Sequence, residues 1–381
     1  MKRTLAFILI FALVLAPCAY AVEPADENAI ALAAPSAILM ERVTGEILYE
    51  KNAHEQLFPA SVTKIMTMLL IMEDIEAQKY TLEDTVTASA RAASFGGSCV
   101  FLEEGEQMSV EEMLKGIAVV SANDCAVAMS EFSAGSEEVF VERMNSRAAE
   151  LGMKETHFTT CTGLYDDVGR HYTSAYDVAI MSRELLNHPL IKNYTTIWMD
   201  TIRNGQFGLS NTNKLVYYYP DCTGLKTGFT SGAMYCLSAS AQRGNTEYIA
   251  VIMHAESADS RNNDAKKLLN YGFATYSAES MFPEYGPGTV AVEYGRSDCV
   301  PVEYSGAQFA LLEKSTEPLS YELSKVESVD APVKKGDVLG TLTVRRGQNT
   351  VAEIPVTAAE DVERMGYWGF VKLLLRSLVC G

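Results

Sequence analysis

A serine and a lysine stand three residues apart in Phe58-Pro59-Ala60-Ser61-Val62-Thr63-Lys64. Positions three apart share a helix face, so the Lys64 amine can reach the Ser61 hydroxyl. A serine alcohol needs a base before it acts as a nucleophile. A lysine can be that base when burial or a second cation disfavours its charged form. The apolar residues Ile65, Met66, Met68 and Leu69 imply such burial. A helix start would also aim backbone N–H groups at a developing oxyanion. The competing reading is that Ser61 caps a helix and Lys64 is solvated. Short motifs match by chance, so Ser-x-x-Lys alone does not decide.

Two further groups bear on the choice. Ser121-Ala122-Asn123 lies sixty residues on, and Lys226-Thr227-Gly228 follows later. A second lysine near the first would lower its pKa by like-charge repulsion, and Lys226 also offers charge for a substrate carboxylate. Gly228 would let a substrate lie against a strand edge. Each group has an ordinary alternative. Ser121 and Asn123 could cap helices, and Thr227-Gly228 could form a turn.

The elements that must hold these residues can be read from pattern. Ser36 to Glu50 suggests two strands around Thr44-Gly45. Pro59 and Ser61 are start signals for a helix reaching Ile75. Ser109 with Glu112 forms a capping box for a helix towards Val120. A break at Ser121–Asp124 precedes a helix to Phe132, and Glu137–Leu151 is another, stopped by Gly152. Thr160 to Tyr176 reads as loop, and Asp177–Asn187 as helix. Tyr235–Ala241 and Tyr248–Ala255 form a hairpin about Gly244-Asn245, followed by a helix over Asp264–Tyr276. Beyond Pro283–Pro287 come short β-like runs: Thr289–Tyr294, Val300–Tyr304, and a hairpin through Thr341–Val344 and Val351–Val356.

Bulk properties narrow the setting. The 381 residues suffice for two domains. Lys2 and Arg3, the apolar Leu5–Ala16 and Ala19-Tyr20-Ala21 make residues 1–21 a secretory signal, with Val22 as the mature start. Cys18 as a lipid anchor is the weaker reading, since Pro17 takes a position that wants a small residue. The formal net charge of -18 argues against nucleic acid as a partner. The eight cysteines include no Cys-x-x-Cys pair, and the five histidines show no His-Glu-x-x-His, so no zinc motif and no cofactor is indicated. No Gly-x-Ser-x-Gly elbow is present. Gly286–Ala291 fits a dinucleotide loop only formally, because it contains Pro287 and leads into a strand. Tyr367–Val379, with Lys372 and Arg376 on one stripe, reads as an amphipathic helix lying in a membrane interface, or else as a packed terminal helix.

Ser-x-x-Lys, Ser-x-Asn and Lys-Thr-Gly in this order resemble the signature of penicillin-recognising serine enzymes. The surrounding text is similar to that of low-molecular-weight penicillin-binding proteins that are D-Ala-D-Ala carboxypeptidases: PASVTKIMT, VVSANDCAVAMSE, TGL followed by HYTSAYD, and GLKTGFTSGAMYCL. The similarity runs from about Ala34 to Tyr276. It implies an α/β (α+β) transpeptidase-like domain over 22–282, an antiparallel sheet with helices on both faces. A small all-β domain over 288–358 and a helix over 360–381 would follow. By the same resemblance Ser61 is the acylated nucleophile, Lys64 its base, and Ser121 with Lys226 the proton relay to the leaving group. Asn123 would contact the substrate amide, and Thr227 with Arg261 the terminal carboxylate. The oxyanion would meet the backbone N–H groups of Ser61 and Phe229, next to Gly228. Arg261 could equally be one more surface charge. The implied partners are a peptidoglycan stem peptide ending in D-Ala-D-Ala, β-lactams as covalent inhibitors, and a membrane surface through the tail. The implied location is outside the cytoplasm, at the outer face of its membrane.

Two alternatives remain from sequence. A serine β-lactamase shares the three motifs and needs a loop glutamate, for which Glu184 near Asn187 is the superficial match. A wall-binding scaffold with a vestigial site is the non-enzymatic reading, although every required side chain is present. His171 lies in a loop that borders these motifs and reads as structural.

Overall fold

The structure, a computed structural model, describes residues 30–164, 170–369 and 371. Residues 1–21, expected from sequence to be an export signal, and most of the tail, including Lys372 and Arg376, lie outside the described residues. Among the described residues no helix is long and apolar enough to cross a membrane. The chain forms two compact units. One comprises residues up to Ala278 with Leu311–Lys314, and the other Glu279–Ala310 with the chain from Ser315.

The first unit is built on five antiparallel strands: β1 (Ser36–Glu41), β2 (Ile47–Lys51), β3 (Cys222–Thr230), β4 (Met234–Arg243) and β5 (Thr246–Ala255). Their order is β2-β1-β5-β4-β3, so β3 is outermost. Successive strand residues point to opposite faces. In β1, Ile38 and Met40 join one core while Ala37 and Leu39 join another. In β5, Ile249, Val251 and Met253 join the first, and Tyr248, Ala250 and Ile252 the second. Both faces are therefore buried, so apolar residues fill successive positions of these strands.

Helices supply the cover. On the first face pack α1 (Lys64–Glu76), α2 (Val110–Val119), α3 (Asn123–Ala134), α4 (Glu137–Glu150) and α5 (Ala175–Leu185). On the other, α6 (Ala258–Thr275) buries Ala265, Leu268, Leu269 and Phe273. The helix α1 is buried along Lys64–Met72, as its apolar run implies.

Several boundaries differ from pattern reading, each for a local reason. The helix α6 starts before Asp264, because the Ser257 hydroxyl accepts from Ser260 N. The helix α5 starts at Ala175 because Ser174 caps it through Asp177 N. Half of the capping box forms: Ser109 Oγ accepts from Glu112 N, but the Glu112 carboxylate accepts from Arg203 N at 2.7 Å. A short hairpin, Met199–Ile202 with Phe207–Ser210, lies in a stretch without a clear periodic signal.

The second unit carries a six-stranded sheet ordered Leu319–Lys325, Val338–Arg346, Asn349–Ala358, Cys299–Tyr304, Thr289–Glu293, Ser328–Asp330. Its last pair is parallel and the others antiparallel. Val290, Val300, Leu342, Val344 and Val356 fill its interior.

Candidate active site

Ser61 does not cap a helix. It lies in a 3₁₀ turn, Ala60–Thr63, that leads into α1, and neither the turn nor the helix has a side-chain cap. Ala60 takes φ +46°, a left-handed conformation that costs an L-residue strain. Two glycines close on this turn. A Cβ on Gly163, itself at φ +73°, would collide with Ala60 O and would lie 2.5 Å from Thr63 Oγ1. A Cβ on Gly228 would stand 2.7 Å from Pro59 O and 3.1 Å from Val62 N. Gly228 therefore has a packing role besides the strand-edge role read from sequence: it seats β3 against the serine turn.

The first residue of α1 is Lys64, and its side chain is fully buried. Its Nζ lies 3.0 Å from Ser61 Oγ, 2.6 Å from Asn123 Oδ1 and 3.0 Å from Thr162 O. Burial lowers its pKa to about 7, against smaller opposing influences from Cys161, Cys99 and Asp124. The sequence argument assigned part of this depression to Lys226. The two charges do repel: burial and then the Lys64 charge push Lys226 well below the ordinary lysine value.

Asn123 is the first residue of α3, whose cap position is Ala122 without a side-chain bond. The capping alternative for Ser121 and Asn123 therefore fails. Asn123 instead bridges, with Oδ1 on Lys64 and Nδ2 donating to Gly96 O at 2.8 Å. Its backbone N donates to Ser98 O at 2.7 Å. The next residue, Asp124, is buried and accepts from the backbone N of Val100 and Leu102. Together they hold the Gly96–Leu102 loop over the site. Ser121 sits at φ +64° with its buried Oγ lacking any hydrogen-bond partner. A strained residue with an unsatisfied buried hydroxyl costs stability and points to function.

Lys226, Thr227 and Gly228 lie within strand β3 rather than in a turn. Lys226 is buried and its Nζ donates to Thr227 O at 3.0 Å. Thr227 Oγ1 donates to Thr212 Oγ1 at 2.8 Å. Phe229 is 54% exposed and its ring lies 4.4 Å from that of Tyr235. Arg261 is not a surface charge. Only 5% exposed, it rises from α6 and donates through Nη1 to Cys236 O, and Cys236 pairs with Gly228 across the sheet. Its charge is the third influence holding Lys226 down.

The chain therefore brings Ser61, Lys64 and Asn123 into direct contact. Lys226, Thr227 and Arg261 gather on and behind the adjoining strand. Pattern reading assigned no role to Thr162, Gly163, Thr212 or the Gly96–Leu102 loop. His171, read as structural, is fully buried, with Nδ1 accepting from Thr159 N at 3.0 Å. That acceptor fixes the proton on Nε2, which faces Thr63 Oγ1 at 2.8 Å. Burial lowers its pKa to about 4, so it stays neutral beside the lysine. Glu184, the β-lactamase candidate, is taken by Arg147 at 2.6 Å and by Asn187. No disulfide joins the six cysteines of the described residues.

Comparison with known proteins places this geometry. Residues 22–257 match the family described as D-alanyl-D-alanine carboxypeptidase, peptidase S11. The chain belongs to that family. Residues 276–364 match the family described as penicillin-binding protein 5, C-terminal domain. D-alanyl-D-alanine carboxypeptidase DacF of Bacillus subtilis is 43% identical, over 98% of this chain and 97% of its own. DacC of Escherichia coli is 33% identical, over 96% of this chain and 92% of its own. Among solved structures, penicillin binding protein 5 from Haemophilus influenzae superposes with a TM-score of 0.74 at 29% identity, covering 90% of this chain and 100% of its own.

Proposed function

We propose that the protein is a serine D-Ala-D-Ala carboxypeptidase that removes the terminal D-alanine from peptidoglycan stem peptides through an acyl-enzyme on Ser61. The observation that carries this reading is the hydrogen-bond count at Lys64. A neutral amine has two N–H donors and one lone pair. Asn123 Oδ1 and Thr162 O accept only, so they take both donors. The lone pair is left for the Ser61 hydroxyl proton, 3.0 Å away. With its pKa near 7, Lys64 is substantially neutral at physiological pH and matched to a general base.

Each step then has a group. Lys64 takes the Ser61 proton as Oγ attacks the carbonyl of the penultimate D-alanine. The oxyanion meets the backbone N–H groups of Ser61 and Phe229. Ser121, whose hydroxyl is otherwise unpartnered, passes a proton with Lys226 to the leaving amine as the peptide bond breaks. Asn123 holds the substrate amide. Thr227, Lys226 and Arg261 receive the terminal carboxylate, whose negative charge draws a proton back to Lys226. Water then attacks the ester and regenerates Ser61. β-Lactams follow the first half and stay attached.

The intact mass of the purified protein after brief exposure to benzylpenicillin, followed over time with Ser61→Ala alongside, tests the reading. A long-lived adduct on the wild type alone is expected. Rapid drug loss without an adduct would indicate a β-lactamase, and intact drug without an adduct a scaffold. The layout we adopt is an exported chain with a catalytic domain at 22–282, a β-domain at 288–358 and a terminal helix at 360–381 resting on the outer face of the cytoplasmic membrane. Deleting Gly366 to Gly381 should abolish membrane association; an unchanged bound fraction rejects the anchor.

A further inference from the structure

Half-buried Trp198 and the exposed Tyr217 and Tyr218 form an aromatic cluster. The Trp198 and Tyr217 rings lie 5.2 Å apart at 35°, and Tyr217 meets Tyr218 edge-on at 4.9 Å. Tyr217 and Tyr218 are each 63% exposed, and Met199 beside Trp198 is 68% exposed. None of these side chains belongs to a core cluster. Large apolar side chains left grouped in water mark contact surfaces more often than chance.

The position of the cluster decides what it contacts. Trp198 O accepts from Asn211 N at 2.9 Å, and Asn211 Nδ2 donates to Ile197 O. Two residues on, Asn213 Nδ2 donates to Gly224 O of β3. Between them Thr212 accepts the Thr227 hydroxyl. One rigid loop thus ties the cluster to the strand of Lys226 and Thr227. Five residues separate Thr212 from Tyr217, a reach of at most about 18 Å. The other end of the 199–210 hairpin is tied to the second motif. Arg203 Nη1 donates to Val100 O, in the loop that holds Asn123.

We propose that the Trp198–Tyr217–Tyr218 platform binds the glycan backbone of peptidoglycan, and so presents the attached stem peptide to Ser61. This rests on the carboxypeptidase reading above. The chemistry fits a saccharide. A pyranose ring offers faces of C–H groups to the negative face of an aromatic ring, and its hydroxyls to the Tyr O–H groups. Stacked rings lose little entropy on binding. A saccharide is favoured over a bilayer because the cluster is tied to the strand that receives the stem peptide, and the glycan carries that peptide. Holding the glycan raises the local concentration of stem peptide without touching the chemistry.

The test compares D-alanine release from a free stem pentapeptide and from uncross-linked glycan chains carrying the same pentapeptide. Trp198→Ala and Tyr217→Ala should lower kcat/KM about tenfold on the glycan-linked substrate, with free-peptide kinetics within about twofold, and Trp198→Phe should restore most of the loss. Equal effects on both substrates, or none on either, overturn the proposal. A wild type inert on free peptide would instead defeat the carboxypeptidase reading. Binding is read separately. Trp198 and Trp368 are the two tryptophans, so Trp368→Phe leaves Trp198 as sole reporter. Its emission should shift with peptide-free oligosaccharides of N-acetylglucosamine and N-acetylmuramic acid. A shift with phosphatidylglycerol vesicles alone, or no shift, overturns the assignment.

Discussion

The two units solve the burial problem differently. Among the described residues, the C-terminal unit buries a single polar side chain, Thr357. The first unit buries Lys64, Lys226, Arg261, Asn123, Asp124, Ser121 and His171 around one turn and one strand. Burying a lysine costs free energy unless it is neutral or well paired. The first unit accepts that cost where a base is needed, and adds backbone strain at Ala60 and Ser121. The second has the simpler economy of a sheet whose interior is mostly valine and leucine. Stability in one unit is spent on preorganisation; in the other it serves the fold alone.

Substitutions can break or sharpen this contrast. The largest effect is expected from Ser61→Ala, which should lower kcat by about a thousandfold or more and abolish the penicillin adduct. Gly228→Ala comes next. Its methyl would press on Pro59 O, and a displacement near 1 Å should cost about a hundredfold in kcat. The paired test is Gly340→Ala in the C-terminal sheet, where the Cβ would meet Ser324 O. That change should destabilise its own unit and leave D-alanine release from free peptide unaltered. Equal catalytic losses from the two glycines would erase the distinction.

His171→Ala should lower kcat by about tenfold by freeing Thr63 beside Lys64, and His171→Gln should restore part of it. The pH profile should follow the lysine. Its neutral form is the base, so kcat/KM should fall as pH drops through about 7. Stability carries the signature of His171. The unfolded imidazole binds its proton near 6.5 and the folded one near 4, so the unfolded state holds more protons between those values. Stability of the first unit should fall by about 3 kcal/mol as pH drops through that window. His171→Gln should flatten the slope in urea unfolding. The smallest effect on activity belongs to Leu342→Ala. It should cost its own sheet about 2–5 kcal/mol and leave turnover near wild type.

Much of the site was legible in the sequence because its groups are short motifs with fixed chemistry. Ser61 and Lys64 meet as their types and spacing imply, and Asn123 joins them as the resemblance to the three-motif signature suggested. What escaped is the part formed across long separations by backbone. Thr162 contributes only its carbonyl, which no side-chain pattern encodes. Gly163 and Gly228 matter through contacts with Ala60 and Pro59 that only the fold creates. For the fold, β1 and β2, the β4–β5 hairpin and most helices were readable from periodicity and caps. The 199–210 hairpin was missed because each strand has only four residues, although Asn204-Gly205 between them is a strong turn signal. Helix starts slipped where Ser174 and Ser257 cap earlier than the apolar pattern begins.

The outermost place of β3 has a consequence for the molecule in a crowd. A sheet margin invites any extended chain to pair with it, including the same strand of another copy. Proteins often guard such margins with outward lysines or a proline. Here the lysine is buried, a glycine follows it, and the one irregularity falls early, between Cys222 and Gly224. A strand that must accept a peptide cannot also refuse one by shape. The refusal between copies is left to long-range repulsion, which a net charge of -18 supplies and added salt removes.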